Sequence, residues 1–362
     1  MIDLLKKFKN KNVIITGHTG FKGSWLTLWL DSLGARVTGI SNNIPTKPSN
    51  FFSTRLNKKI NHLIIDVRNE KKLFQVINKI KPDYIFHLAA QALVKKSYLN
   101  PVETFETNSI GTLKLLECLR RYKPKKKCSI VVITSDKSYK NLEITRGYKE
   151  NDILGGHDPY SASKACAELI IQCYIKSFLK NKKNLFISIA RAGNVIGGGD
   201  WSADRLFPDC VRAIKSKKIV NIRFANSTRP WQHVLEVLFG YMILAKKQKQ
   251  KKHINGQAYN FGPNNKKSIK VIDMVKNFKK NWNLLNFKII KSKNKEFESG
   301  LLKLNSTKAL KNLKWKCLLS TEDTILMLVE WYKLYLKDQK QSMYKFSISQ
   351  IKSFEMVIRN KL

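Results

Sequence analysis

An apolar run at residues 12–16 passes directly into Gly17-His18-Thr19-Gly20-Phe21-Lys22-Gly23, and the chain then takes up a helical pattern over 24–33. A strand that turns on glycines straight into a helix leaves few folds open. Gly17 permits the tight turn, Gly20 lets backbone N–H groups approach a phosphate, and Gly23 lets helix and strand pack closely. The helix N-terminus adds a partial positive charge at the same place. The alternation then repeats. Extended segments are expected at 35–40, 62–66, 84–88, 129–133 and 185–190, with helical ones at 71–80 and 101–121. Such alternation predicts a parallel sheet with right-handed crossovers and helices on both faces.

Ligands bind such sheets at the carboxyl ends of the strands. Gly17, Asp66, Ala89, Ser135 and Arg191 all fall there. The fold class is therefore α/β, a Rossmann-type doubly wound parallel sheet, followed by a smaller α/β region in the C-terminal part. We divide the chain into a dinucleotide-binding domain over 1–190, completed by part of 220–262, a second region over 191–336, and an extension over 337–362 with no assigned role.

Two stretches carry candidate chemistry. Thr134-Ser135-Asp136-Lys137 follows the fifth strand, and Tyr160-Ser161-Ala162-Ser163-Lys164 opens a helical pattern that runs to 178. Tyr160 and Lys164 are four residues apart and share a helix face. An ammonium beside a phenol stabilises the phenolate, so the spacing predicts a lowered Tyr160 pKa and a general base for a hydroxyl. Tyr122 and Lys126 have the same spacing, but Pro124 between them argues against a shared face.

The net charge of +42, from 68 basic and 26 acidic residues, raises the question of a polyanionic partner. Lysines are spread over every segment, with only short clusters at 123–127 and 246–252. A solvated lysine-rich surface explains this better than a recognition face, and no nucleic-acid partner is expected. No apolar run reaches the length of a membrane span, and residues 1–11 lack a signal-peptide core, so the expected location is the cytoplasm. The cysteines show neither paired nor zinc-like spacing, and no metal is expected.

In the second half, Arg205 and Arg229 are candidates for a pyrophosphate, which a guanidinium matches in a planar fork. Trp201 and Trp231 are candidates for stacking on a base or shaping a sugar pocket. Ser320 followed by Asp323 marks a helix start. One feature of dinucleotide sites is missing: residues 39–43 after the second strand carry no carboxylate for the adenosine ribose.

Asp66-Val67-Arg68, His87-Leu88-Ala89-Ala90-Gln91 and Asn108, taken with the motifs above, resemble the extended short-chain dehydrogenase/reductase superfamily. Pro159-Tyr160-Ser161, Arg191-Ala192-Gly193-Asn194-Val195-Ile196-Gly197-Gly198-Gly199-Asp200-Trp201 and Arg229-Pro230-Trp231-Gln232-His233-Val234 are similar to the CDP-glucose 4,6-dehydratase family within it. The similarity covers residues 11–336. It implies loss of water from a nucleotide sugar, with NAD oxidising C4 and returning the hydride to C6.

By this resemblance NAD is held by Gly17, Thr19, Gly20, Phe21, Gly23, Asp66, Val67, Leu88, Ala89, Ala90, Asn108, Thr134, Tyr160, Lys164 and Arg191. The nucleotide sugar meets Gln91, Asn194, Asp200, Trp201, Arg205, Arg229, Trp231 and His233. Ser135 would fix the C4 oxygen, Tyr160 would take its proton, Asp136 would serve as acid for the C6 hydroxyl, and Lys137 would be the C5 base. A homodimer or dimer of dimers is implied in the same way. Another nucleotide-sugar dehydratase, a 4-epimerase and a non-catalytic sugar-nucleotide sensor are the alternatives. The Asp136/Lys137 pair weighs against an epimerase, which does not need it.

Overall fold

The computed structural model describes residues 2–263, 269–290 and 301–362. Its centre is a parallel sheet of strands β1 (Asn12–Thr16), β2 (Arg36–Ser41), β3 (Asn61–Ile64), β4 (Tyr84–His87), β5 (Cys128–Ile133), β6 (Leu185–Ala192) and a last strand, Ala258–Phe261. The spatial order is Ala258–Phe261, β6, β5, β4, β1, β2, β3, with every pair parallel. Successive strands step outward in opposite directions from β1 and β4, which opens a crevice at their carboxyl ends. β3 is shorter than expected. It stops at Ile64, and a turn follows in which the Arg68 backbone N–H donates to Asp66 Oδ1 at 2.8 Å.

Side chains alternate across the sheet, as the strand period of two requires. Ile14, Ile130 and Val132 join an aliphatic cluster under the helices Glu70–Ile80, Gly111–Arg121 and Pro159–Tyr174. Val13, Ile15, Val131 and Ile133 face the other way, into an aromatic-rich core with the helices Phe21–Ser32, Val234–Lys247 and Thr321–Lys337. The C-terminal extension is an 18-residue helix, Tyr344–Lys361, laid over the Phe21–Ser32 helix. Ile351, Phe354 and Ile358 are spaced for one buried face. Trp29 Nε1 donates to Glu355 Oε1 at 2.8 Å, and the Tyr344 hydroxyl donates to Asp31 at 2.6 Å.

The long helix expected over 101–121 contains a π-helical turn, Glu106–Ile110, between Pro101–Phe105 and Gly111–Arg121. Asn108 lies in this wider turn, buried, and reaches Gln91 and Ser163. In the second half, short strand pairs build the far side of the crevice. Val195–Ile196 pairs with Gln232–His233, Val220–Ile222 with Phe287–Ile289, and Thr228–Arg229 with Ile269–Lys270. No helix among the described residues is long and apolar enough to cross a membrane.

Candidate active site

The glycine turn is built for close approach. Gly17 has φ +74°, and a Cβ there would lie 2.6 Å from the Ala89 nitrogen; at Gly23 it would lie 2.1 Å from the Gly17 carbonyl oxygen. The helix behind the turn begins at Phe21 with no side-chain cap, which leaves its N-terminus suited to a phosphate. Leu88 and Ala89 close against β1: their backbone N–H groups donate to Thr16 O at 3.0 Å and Thr16 Oγ1 at 3.3 Å. Val67 is buried, and Ala90 follows at the end of the same run. At the outer end, Thr19 Oγ1 donates to the Asn43 carbonyl at 2.7 Å, and Asn42 Nδ2 donates to Asp66 Oδ2 at 3.2 Å. Asp66, just past β3, thus stands beside the chain that follows β2, and its carboxylate pairs with Arg68 at 2.7 Å.

After β5, Ser135 caps a short turn, Asp136–Ser138. Its Oγ accepts from the Lys137 backbone N–H at 3.2 Å and donates to Asp136 Oδ1 at 3.0 Å. Asp136 is buried, and its Oδ2 has no hydrogen-bond partner among the described residues. Burial pushes the Asp136 carboxyl above its ordinary range, opposed by the charge on Lys137. Facing this turn, the Pro159–Tyr174 helix starts from Asp158, whose Oδ1 accepts from the Ser161 N–H at 2.9 Å. Pro159 fills the first helical position, where a missing N–H costs nothing. Tyr160 is thereby fixed in the first turn, its own N–H donating to Ser97 Oγ at 3.1 Å.

The expected fall in the Tyr160 pKa is not what the structure gives. Burial pushes the phenol up, and a hydrogen bond with Ser135 opposes this; Lys164 is not among the main influences. Burial and the nearby Lys22 ammonium bring Lys164 itself down to about 7, so its charge is weakly held. In the protein chain alone Ser135, more than Lys164, favours the phenolate.

Thr134, Ser135, Asp136, Lys137 and Tyr160 line one wall of a cleft of about 400 Å³. Asn194, Asp200, Arg205, Arg229 and Trp231 line the other, with Phe21 and Lys22 at the glycine turn. Arg205 is held by Asp200 Oδ2 at 3.0 Å. Sequence reasoning missed Lys22, whose pKa is brought down to about 8 by burial and by Arg205. Its signal was a cation inside the glycine turn itself.

Several expected contacts are turned elsewhere. Arg191 is fully buried and makes a two-pronged ion pair with Glu168, because its place in β6 directs it beneath the β5 turn rather than into the cleft. The Asn108 amide is spent on Gln91 N–H at 2.8 Å, Gln91 O at 3.0 Å and Ser163 Oγ at 2.9 Å. The Gln91 amide in turn donates to Leu93 O and Thr104 Oγ1, so both side chains brace loops. Trp201 packs between Tyr332 and Tyr335, with ring centroids at 5.1 Å from each. His233 is fully buried and caps the next helix, its Nδ1 accepting from the Leu235 N–H at 3.3 Å.

The profile of the GDP-mannose 4,6 dehydratase family matches residues 14–328. The chain is 41% identical over 344 residues to a CDP-glucose 4,6-dehydratase of Salmonella typhimurium, covering 94% of this chain and 95% of that protein. It is 26% identical to a CDP-paratose 2-epimerase of Salmonella typhi, over 88% of this chain and 98% of the other. Among solved structures, a dTDP-glucose 4,6-dehydratase from Bacillus anthracis in complex with NAD has a TM-score of 0.75 at 21% identity, covering 92% of this chain and 99% of that one; that likeness speaks to the fold. With the family profile spanning most of its length, this chain belongs to the GDP-mannose 4,6 dehydratase family of nucleotide-sugar enzymes.

Proposed function

We propose that this protein converts CDP-glucose to CDP-4-dehydro-6-deoxyglucose and water, as a cytoplasmic, NAD-dependent hydro-lyase. The observation that carries the reading is the placement of Ser135, Asp136 and Lys137 on one turn beside Tyr160, on the same wall of a single cleft. An oxidation needs only the Tyr160 side of this set; the elimination needs an acid and a base beside it. The choice of CDP-glucose follows the 41% identical relative of that activity.

The glycine turn, the uncapped helix N-terminus and Lys164 suit a dinucleotide pyrophosphate and nicotinamide ribose. When bound there, NAD would accept a hydride from C4 and return it to C6. Tyr160 takes the proton of the 4-hydroxyl while Ser135 holds that oxygen. The new ketone makes the C5 proton acidic, and Lys137 is the base that removes it. Asp136, whose burial favours the protonated carboxyl, gives its proton to the departing 6-hydroxyl, and water leaves. Lys137 then returns a proton to C5. The proton gained by Tyr160 balances the one lost by Asp136. Arg205 and Arg229 hold the pyrophosphate from the far wall.

A homodimer fits the outer surface of the catalytic-helix face, where Leu99, Val102, Leu169 and Phe178 are exposed. The test is mass spectrometry of the purified protein with CDP-glucose, dTDP-glucose, UDP-glucose and GDP-mannose, each with NAD. Loss of one water from CDP-glucose alone is expected. Water loss from another sugar nucleotide would keep the chemistry and discard the base; an isomer of unchanged mass would replace dehydration by epimerisation.

A further inference from the structure

Glu168 lies fully buried on the catalytic helix, one turn beyond Lys164 and two beyond Tyr160. Arg191 Nε and Nη2 donate to its two oxygens at 2.7 and 2.6 Å. Arg191 is itself anchored, through Nη1, to the Tyr139 hydroxyl at 2.6 Å and the Glu150 carbonyl at 2.9 Å. The same Glu168 Oε1 accepts from Thr134 Oγ1 at 2.6 Å and from Ser138 Oγ at 3.3 Å. Those two hydroxyls bracket Ser135-Asp136-Lys137, and Ser138 Oγ also donates to the Ser135 carbonyl at 2.7 Å. One carboxylate oxygen therefore meets both ends of the β5 turn, closely at Thr134 and, through a Ser138 proton shared with the Ser135 carbonyl, more weakly at the other, from the helix that carries Tyr160.

We propose that Glu168 is a positioning residue, which sets the Ser135–Lys137 turn against Tyr160 and Lys164 so that oxidation and elimination share one geometry. Glu168 and Ser138 lie outside the cleft lining, so both act through other residues. The carboxylate has a second effect, since its charge supports the Lys164 ammonium against burial and Lys22. The groups facing Tyr160 are Ser135 and Asp136 on the turn, Asp158 before the helix, Arg205 on the far wall and Tyr241 on the Val234–Lys247 helix. Around Lys164 they are Lys22, Glu168 and His87. A buried ion pair with a purely structural role would change folding stability when broken, without moving the Tyr160 titration.

The test uses full-length protein with Glu168→Gln and, separately, Ser138→Ala. Tyr160 is titrated by ultraviolet difference against Tyr160→Phe, and turnover is measured on the nucleotide sugar; only the turnover arm rests on the reaction proposed above. With Ser135 displaced, Tyr160 is expected to titrate higher by about one pH unit. The expected turnover loss is about 10-fold or more in kcat with KM within about 2-fold, the pattern of misplaced catalytic groups. An unshifted titration with unchanged kcat in the folded variants overturns the proposal. So does a kcat loss that follows only the melting temperature. If Glu168→Gln does not fold, Ser138→Ala decides by the same two readouts. A wild-type protein inactive on every nucleotide sugar would remove the reaction, while the phenol titration would still decide the role of Glu168.

Discussion

Two buried glutamates, Glu168 and Glu236, sit behind opposite walls of the cleft and live in different surroundings. Glu168 meets a guanidinium and two hydroxyls. Glu236 receives the backbone N–H groups of Leu318 and Leu319 on one oxygen, both at 2.7 Å, and its Oε2 has no hydrogen-bond partner among the described residues. Burial pushes Glu236 up to about 7. The indole N–H groups of Trp201 and Trp231 are also buried without partners among the described residues. The wall that performs the chemistry is thus braced from behind and pre-set, with Asp136 Oδ2 left without a hydrogen-bond partner among the described residues. The wall that holds the nucleotide is assembled from short strand pairs and keeps polar atoms unspent. Pre-setting favours reacting groups, whose geometry governs rate; unspent indole donors favour recognition.

Separate substitutions on the two walls test this division. Tyr160→Phe should lower kcat by about 10²–10⁴-fold with nucleotide-sugar affinity retained; steady-state kinetics with a binding titration checks it, and near-normal turnover would remove Tyr160 as the base. Arg229→Met, on the far wall, should raise KM by about 10–100-fold with kcat little changed, reflecting about 1.4–2.8 kcal/mol of lost charge-assisted binding. A kcat loss as large as that of Tyr160→Phe would erase the contrast between the walls.

Glu236→Gln sharpens the comparison through pH. Its folded-state pKa of about 7 stands above the ordinary 4.5. The folded protein binds this proton more tightly than the unfolded chain does. The resulting stability is full below about 4.5 and is lost as pH rises through about 7. Glutamine keeps the acceptor for Leu318 and Leu319 and removes the slope. The variant should equal the wild type in melting temperature near pH 5 and exceed it near pH 8, by about 1–3 kcal/mol in stability. Parallel melting curves at both pH values would contradict that placement of the charge. The smallest effect is expected from Leu169→Glu, an exposed position on the catalytic-helix face. It should shift a dimer toward monomer in analytical ultracentrifugation and leave the fold intact by circular dichroism, while an unchanged sedimentation coefficient would move the pairing surface elsewhere.

Much of the reacting wall was legible beforehand because it is local. Ser135, Asp136 and Lys137 adjoin a strand end, and Tyr160 follows Asp158-Pro159, a helix start that any chain of this pattern would make. The far wall was less legible. Trp201 and His233 lie in motifs that read as substrate contacts, yet Trp201 is taken up by Tyr332 and Tyr335, residues about 130 positions away in the chain. Arg191 has the same lesson. Position at a strand end was right, but side-chain direction depended on Glu168 occupying the space beneath Thr134.

The sequence by itself determined the alternating α/β order, the glycine turn and the spacing that brings a tyrosine and an acid–base pair to the strand ends. Those follow from periodicity, glycine sterics and helix capping, which act over a few residues. Tertiary structure alone decided which charges were spent on one another. Arg191 went to Glu168, Arg68 reached Glu106, and burial together with Lys22 brought Lys164 down to about 7. Desolvation and ion pairing depend on what surrounds a group in space, and segments distant in the chain supply those surroundings.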